Sequence, residues 1–150
     1  HEFPGHNYRM DGVQGAVLNV KLKYLPKWTE MRRQKAALYK KYLIDIPQLQ
    51  LPEEHPDVYH VWHLFVVKVE RRDGLFQYLK DNQIFAGIHY PVPCHLQKAY
   101  EFLGYQKGQL PVTESNAARI LSLPLYPELT EEHIIHIVNK IRNFYEVPEI

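Results

Sequence analysis

The sequence predicts an α/β domain, α+β in layout, with a long leading helix followed by a small sheet covered by helices. Three observations carry this reading. Apolar residues recur at three- and four-residue spacing from Val13 to Tyr42 and again from Ile134 to Ile141, the period of helices that bury one face. Val58 to Val69 is dense in valine, tyrosine, tryptophan, phenylalanine and histidine, the composition of a central strand. The stretch Gly87-Ile88-His89-Tyr90-Pro91-Val92-Pro93-Cys94-His95-Leu96-Gln97-Lys98-Ala99-Tyr100 closes a strand, helix, strand unit with two prolines. These fix the backbone and remove two donors, making a rigid corner at a strand end, where α/β folds commonly place ligands.

The elements follow in order. Asp11 is an N-cap with Gln14 placed to complete a capping box, and Val13, Ala16, Val17, Val20 and Tyr24 form one helical stripe. Pro26 interrupts that helix and falls in the first turn of a second segment, Trp28 to Tyr42, whose Arg32, Arg33, Lys40 and Lys41 read as a solvated face. Residues 45–57 hold three prolines and the acidic Glu53 and Glu54, a turn-rich connection. After the strand over 58–69 comes a helix from Arg72 to Gln83, with Asp73 as its cap, and then a strand from Phe85 to Tyr90. His95 to Leu103 reads as a short helix stopped by Gly104, and Pro111 to Leu121 as another with Glu114 in its first turn. Ser122 to Pro127 is extended and buried. Thr130, Glu131 and Glu132 open a last amphipathic helix.

A chain of 150 residues with 45% apolar and 23% charged content has enough material for one core and no bias toward disorder. Lysine and arginine number 18 against 17 acidic residues, so no basic excess calls for nucleic acid. No apolar run is long enough to span a bilayer, and the single cysteine, Cys94, fits a reducing compartment; the expectation is a soluble, cytoplasmic protein. The opening His1-Glu2-Phe3-Pro4-Gly5, without an initiator methionine, reads as a piece of something longer.

The histidines define no metal site in this reading. His60 and His63 fall on opposite sides of the predicted strand, and His133 and His136, one helical turn apart, lack a third ligand. Cys94 beside His95 has the composition of a nucleophile and base without the geometry, since adjacent residues rarely face one another. His89 and Tyr90 are the candidate ligand-facing pair, each with an apolar body and a polar tip; the alternative for both is aromatic packing at a strand end.

Two segments resemble the sugar-nucleotide aminotransferases of the DegT/DnrJ/EryC1/StrS family, pyridoxal-phosphate enzymes of fold type I. Gly5-His6-Asn7-Tyr8-Arg9-Met10-Asp11-Gly12-Val13-Gln14-Gly15-Ala16 is similar to the family's Gly-x-Asn-x-Arg-Met-(Asp/Ser)-x-(Leu/Ile)-Gln-Ala-Ala. The second is Gly87 to Tyr100 with Leu103-Gly104-Tyr105, Pro111-Val112 with Glu114, and Leu121-Ser122-Leu123-Pro124-Leu125-Tyr126-Pro127-Glu128-Leu129-Thr130. The resemblance covers essentially the whole chain. It departs from the family at Gly12 and Gly15, each costing a helix interior roughly 0.5–1 kcal/mol, and at Cys94, where the family favours leucine.

The resemblance implies the C-terminal portion of such an enzyme: residues 1–43 as the helical region leading out of a large domain, and 44–150 as the small domain. The complete enzyme would turn a nucleotide-linked keto-deoxysugar into an amino sugar, with glutamate as amino-acid donor, as a homodimer. The wording Gly87-Ile88-His89-Tyr90-Pro91 leans toward a 3-keto substrate. The Schiff-base lysine belongs to a motif absent from this chain, so the chain alone is expected to be inactive. Asn7 matches the asparagine that reaches the cofactor phosphate of the neighbouring subunit. Arg9 matches an arginine for the substrate diphosphate, or alternatively a bridge to an acidic residue of the large domain. His89 and Tyr90 match a pair over sugar and cofactor; His89 is alternatively a hydrogen-bonded wall residue. The rival reading is a stand-alone, non-catalytic ligand-binding or interaction module with the same fold.

Overall fold

The computed structural model describes residues 8–150. It is a mixed α/β structure: a three-stranded antiparallel sheet, in the order β1-β2-β3, with helices packed against it. The leading helical region is two helices. α1 spans Gly12–Leu22 under the full capping box, Asp11 Oδ1 accepting from the Gln14 backbone at 2.7 Å and Gln14 Oε1 from the Asp11 backbone at 3.3 Å. After a turn at Lys23 and Tyr24, α2 runs Leu25–Leu43 with Pro26 in its first turn, where the missing N–H costs nothing.

α2 belongs to the core. Its Ala36, Tyr39 and Leu43 are buried, and Tyr39 stacks on Phe65 with ring centroids 5.0 Å apart. The Tyr39 hydroxyl donates to the Pro124 carbonyl at 2.9 Å, and burial pushes this phenol far above its ordinary range. β1 (Leu49–Gln50) and β2 (Phe65–Val69) pair Leu49 with Val69, and β2 pairs with β3 (Ile120–Leu123) through Phe65 to Leu123 and Val67 to Leu121. Strand alternation turns Phe65, Val67 and Val69 inward. There they meet Leu75 and Leu79 of α3 (Arg72–Asp81) and the stripe Ile134, Ile137, Val138, Ile141 of α5 (Glu131–Phe144). The Thr130 hydroxyl caps α5 by accepting from the His133 backbone. At its far end the Tyr145 hydroxyl donates to the Glu70 carbonyl at 2.5 Å, with its pKa pushed up to about 12 by burial.

Several local expectations change. The strand over 58–69 shortens to β2, because Trp62 takes φ 49°, a left-handed value no strand residue adopts, and its backbone N–H donates to His60 Nδ1 at 2.9 Å. Phe85 to Tyr90 is not a full strand; it joins the sheet at one rung, where Gly87 and Ser122 exchange backbone hydrogen bonds of 2.9 and 2.7 Å. The helix over 111–121 ends earlier: α4 is Pro111–Arg119, and Ile120 already begins β3. Finally, α3 is entered from Arg71 at φ 51°, and Asp73 lies inside the first turn, paired with Arg72 Nε at 2.6 Å. The 94–103 segment is two 3-10 turns, Cys94–Leu96 and Lys98–Leu103, with Gly104 closing the second at φ 75°.

Arg33 is also more than a solvated charge. It donates to Glu54 at 2.7 Å and to the His60 carbonyl at 2.6 Å, and lies 4.3 Å from the Tyr59 ring centroid. Both bonds come from Nη1 and clamp the irregular 54–62 segment onto α2, and the one to Glu54 holds its carboxyl below the ordinary range. Among the described residues no helix is long and apolar enough to cross a membrane.

Candidate active-site corner

The corner is built outward from the sheet. Ala86 and Ile88 pack against the core, so Gly87 and His89 fall to the other side of the chain. Ser122, in the middle of β3, is paired to Val66 on one flank and Gly87 on the other. Ser122 is 4% exposed, and Oγ lies 2.9 Å from His89 Nδ1. Gly87 is what lets the imidazole lie there: a Cβ at that position would stand 2.6 Å from His89 Cε1. The His89–Tyr90 peptide is cis, and the two rings meet edge to face at 5.5 Å. Tyr90 is 71% exposed and has Phe85 and Val92 as exposed apolar residues on the same stretch.

A second polar cluster braces the chain beyond the corner. Glu114, at the start of α4, accepts from the Gly108 backbone with both oxygens at 2.8 Å, from Leu110 at 3.3 Å, and meets buried His95 Nε2 at 3.1 Å. The Gly108 hydrogen bond first, then His95, hold the Glu114 carboxyl below 4.5. A carboxylate with a depressed folded pKa stabilises above its unfolded value and loses that contribution as pH falls through the folded one. Acid titration is therefore expected to loosen the 104–110 loop below about pH 4.5. The denaturant midpoint of Glu114→Gln should fall less over that window than the midpoint of the unsubstituted chain. Glu54 titrates in the same direction, so the variant's slope shrinks without vanishing. Equal slopes would show that Glu114 carries none of it.

Of the candidate residues, the structure brings His89 and Tyr90 together at one corner. Arg9 lies before α1, and Asn7 lies outside the described residues. His133 and His136 line an open groove of about 540 Å³ with Phe85 and Tyr126. His60 rests on the Trp62 ring at 4.1 Å, and Cys94 is exposed. The sequence reading did not give Ser122 a role. The available signal was a lone serine between Leu121 and Leu123 in an otherwise apolar run.

The donor set at the corner, an imidazole, a phenol and a serine hydroxyl, contains no amine. It can orient a ligand and hand over a proton, and it suits one wall of a pyridoxal-phosphate site whose anchoring amine comes from elsewhere.

Comparison with known proteins shows what the chain is similar to. The chain is 42% identical over 147 residues to a pleiotropic regulatory protein of Geobacillus stearothermophilus, covering 97% of this chain and 40% of that one. It is 40% identical over 146 residues to the dTDP-3-amino-3,4,6-trideoxy-α-D-glucose transaminase of Streptomyces venezuelae, covering 97% of this chain and 38% of the enzyme. The crystal structure of S. venezuelae DesV in complex with a ketimine intermediate superposes with a TM-score of 0.91 at 40% identity, over 99% of this chain and 40% of DesV. The chain thus spans about 40% of the length of these relatives. A model of the DegT/DnrJ/EryC1/StrS aminotransferase family matches residues 1–142, and the chain belongs to that family.

Proposed function

We propose that this chain is the C-terminal portion of a pyridoxal-phosphate-dependent aminotransferase that converts a nucleotide-linked keto-deoxysugar to an amino sugar, with glutamate as donor. The observation that carries the reading is a family match running along residues 1–142 of a chain that spans about 40% of its relatives. The 3-amino product in the name of the Streptomyces venezuelae relative favours a 3-keto sugar. Residues 1–43 lead out of a larger domain and 44–150 form the small one, in a cytoplasmic homodimer.

When bound, pyridoxal phosphate would carry the amino group between donor and sugar, with its electron-poor ring as the electron sink. The chain's own residues bind and orient. Asn7 offers an amide donor to the cofactor phosphate of the neighbouring subunit, and Arg9 offers its planar fork to the sugar diphosphate. His89 and Tyr90 stand over the sugar, where an imidazole and a phenol can hold its oxygens and move a proton near the transferred amine. The chain by itself supplies no anchoring lysine and does not transaminate.

The test compares this chain with the longest natural polypeptide that contains it. Amine transfer from glutamate to a dTDP-3-keto-deoxysugar is followed by chromatography, with the 4-keto isomer alongside. The expected result is turnover by the longer protein and none by the chain. Turnover by the chain alone overturns its inactivity, and failure of the longer protein on both sugars overturns the enzyme reading. The name of the Geobacillus relative favours a second reading, a non-catalytic module, which predicts saturable ligand binding without turnover in both samples.

A further inference from the structure

We infer that Ser122 is a positioning residue that locks His89 into one tautomer, with its Nε2–H presented as a hydrogen-bond donor to the sugar. The substrate half of this inference rests on the function proposed above; the tautomer half rests on the chain alone.

Ser122 is buried in the middle of β3, and its hydroxyl with it. A buried O–H that fails to donate loses its hydration without replacement, which folded proteins avoid. Among the described hydrogen bonds, the partner of Ser122 Oγ is His89 Nδ1, at 2.9 Å. The hydroxyl therefore donates to Nδ1, and a neutral imidazole that accepts at Nδ1 must carry its proton on Nε2. Nothing about the residue types in the corner requires this; histidine in water samples both tautomers.

Two backbone features keep the lock in register. Gly87 and Ser122 exchange both of their backbone hydrogen bonds, so the base of the corner cannot slide along β3 without losing them. The missing side chain at Gly87 leaves the space that the edge of the ring occupies, since a Cβ would stand 2.6 Å from Cε1 and 3.3 Å from Nδ1. His89 as a whole remains exposed, and among the described hydrogen bonds Nε2 has no protein partner. A ligand oxygen at the corner would meet an N–H whose direction the sheet has already set. Orienting a ligand-facing imidazole through its other nitrogen is a general way to fix its tautomer.

The test uses the chain with 15N-labelled histidine, as such and as Ser122→Ala and Ser122→Thr, with His89→Gln to assign the signals. Long-range proton–nitrogen correlation at neutral pH should show a single Nε2–H tautomer for His89. In Ser122→Ala the two tautomers should exchange, and Ser122→Thr, which keeps the hydroxyl, should restore the single form. A dominant Nδ1–H tautomer in the unsubstituted chain, or a His89 spectrum unchanged in Ser122→Ala, overturns the lock. Retained dispersion of the other histidine signals shows that each variant is folded. In the complete enzyme, Ser122→Ala should lower kcat/KM for the sugar about tenfold, the worth of one oriented hydrogen bond. An unchanged sugar kcat/KM would remove Ser122 from the positioning role. Inactivity of the unsubstituted enzyme would instead sink the proposed function and the substrate half with it, while the spectrum still decides the tautomer.

Discussion

Tyr39→Ala is expected to destabilise the chain by about 3–5 kcal/mol, and Tyr39→Phe by about 1 kcal/mol. Against a total stability of about 5–15 kcal/mol, the first is enough to leave much of the population unfolded at moderate denaturant. The two substitutions separate two jobs done by one residue. The ring is fully buried and stacked on Phe65, within the core that α2, β2 and α5 share. Truncation leaves a cavity that a close-packed core closes only in part. The hydroxyl ties α2 to the Pro124 carbonyl, at the exit of β3, and Tyr39→Phe keeps the ring while leaving that carbonyl unpaired. Urea midpoints at constant slope measure both. A Tyr39→Ala midpoint within about 1 kcal/mol of the parent, or two equal losses, would show that α2 is not part of this core.

The second large effect concerns α1. None of its residues is buried, and Val13, Val17 and Val20 are 76%, 52% and 57% exposed along one stripe. An 11-residue helix interrupted by Gly15 is marginal on its own in water. The capping box holds its start, and an apolar stripe this open favours association. The chain by itself is expected to sediment as a concentration-dependent oligomer and to bind an apolar-surface dye. Val13→Lys with Val17→Lys should restore a monomer, weakening association by about 3 kcal/mol or more, roughly a hundredfold. A sharp monomer peak for the unsubstituted chain, without dye binding, contradicts the idea.

The helices were legible because their signals are local. The capping box at Asp11 and Gln14, Pro26 in a first turn, and the stripe of α5 each lie within a few residues of what they specify. The strands were less so. The 58–69 run has the composition of a strand throughout, yet its first half is held by Arg33 and Glu54, which lie outside the run and override composition. β1 is two residues long and sits in a proline-rich stretch that offers no periodicity. Buried Arg142, whose guanidinium reaches Asp45 at 2.7 Å, interrupts the apolar stripe of α5 and gave no hint of its distant partner. The corner was visible through its prolines; the serine that holds its histidine was not, because the two residues meet only after the sheet forms.

The double hydrogen bond between Gly87 and Ser122 has an evolutionary corollary. The chain from the aromatic corner through the two 3-10 turns, the loop clasped by Glu114 and α4 is one excursion, which leaves the sheet at Gly87 and rejoins it at β3 beside it. Closing a loop depends only weakly on its length, so residues can be added, removed or exchanged within it at little cost to the scaffold. The fold thereby carries a tethered cassette, open to change in length and sequence while the hydrophobic centre stays as it is.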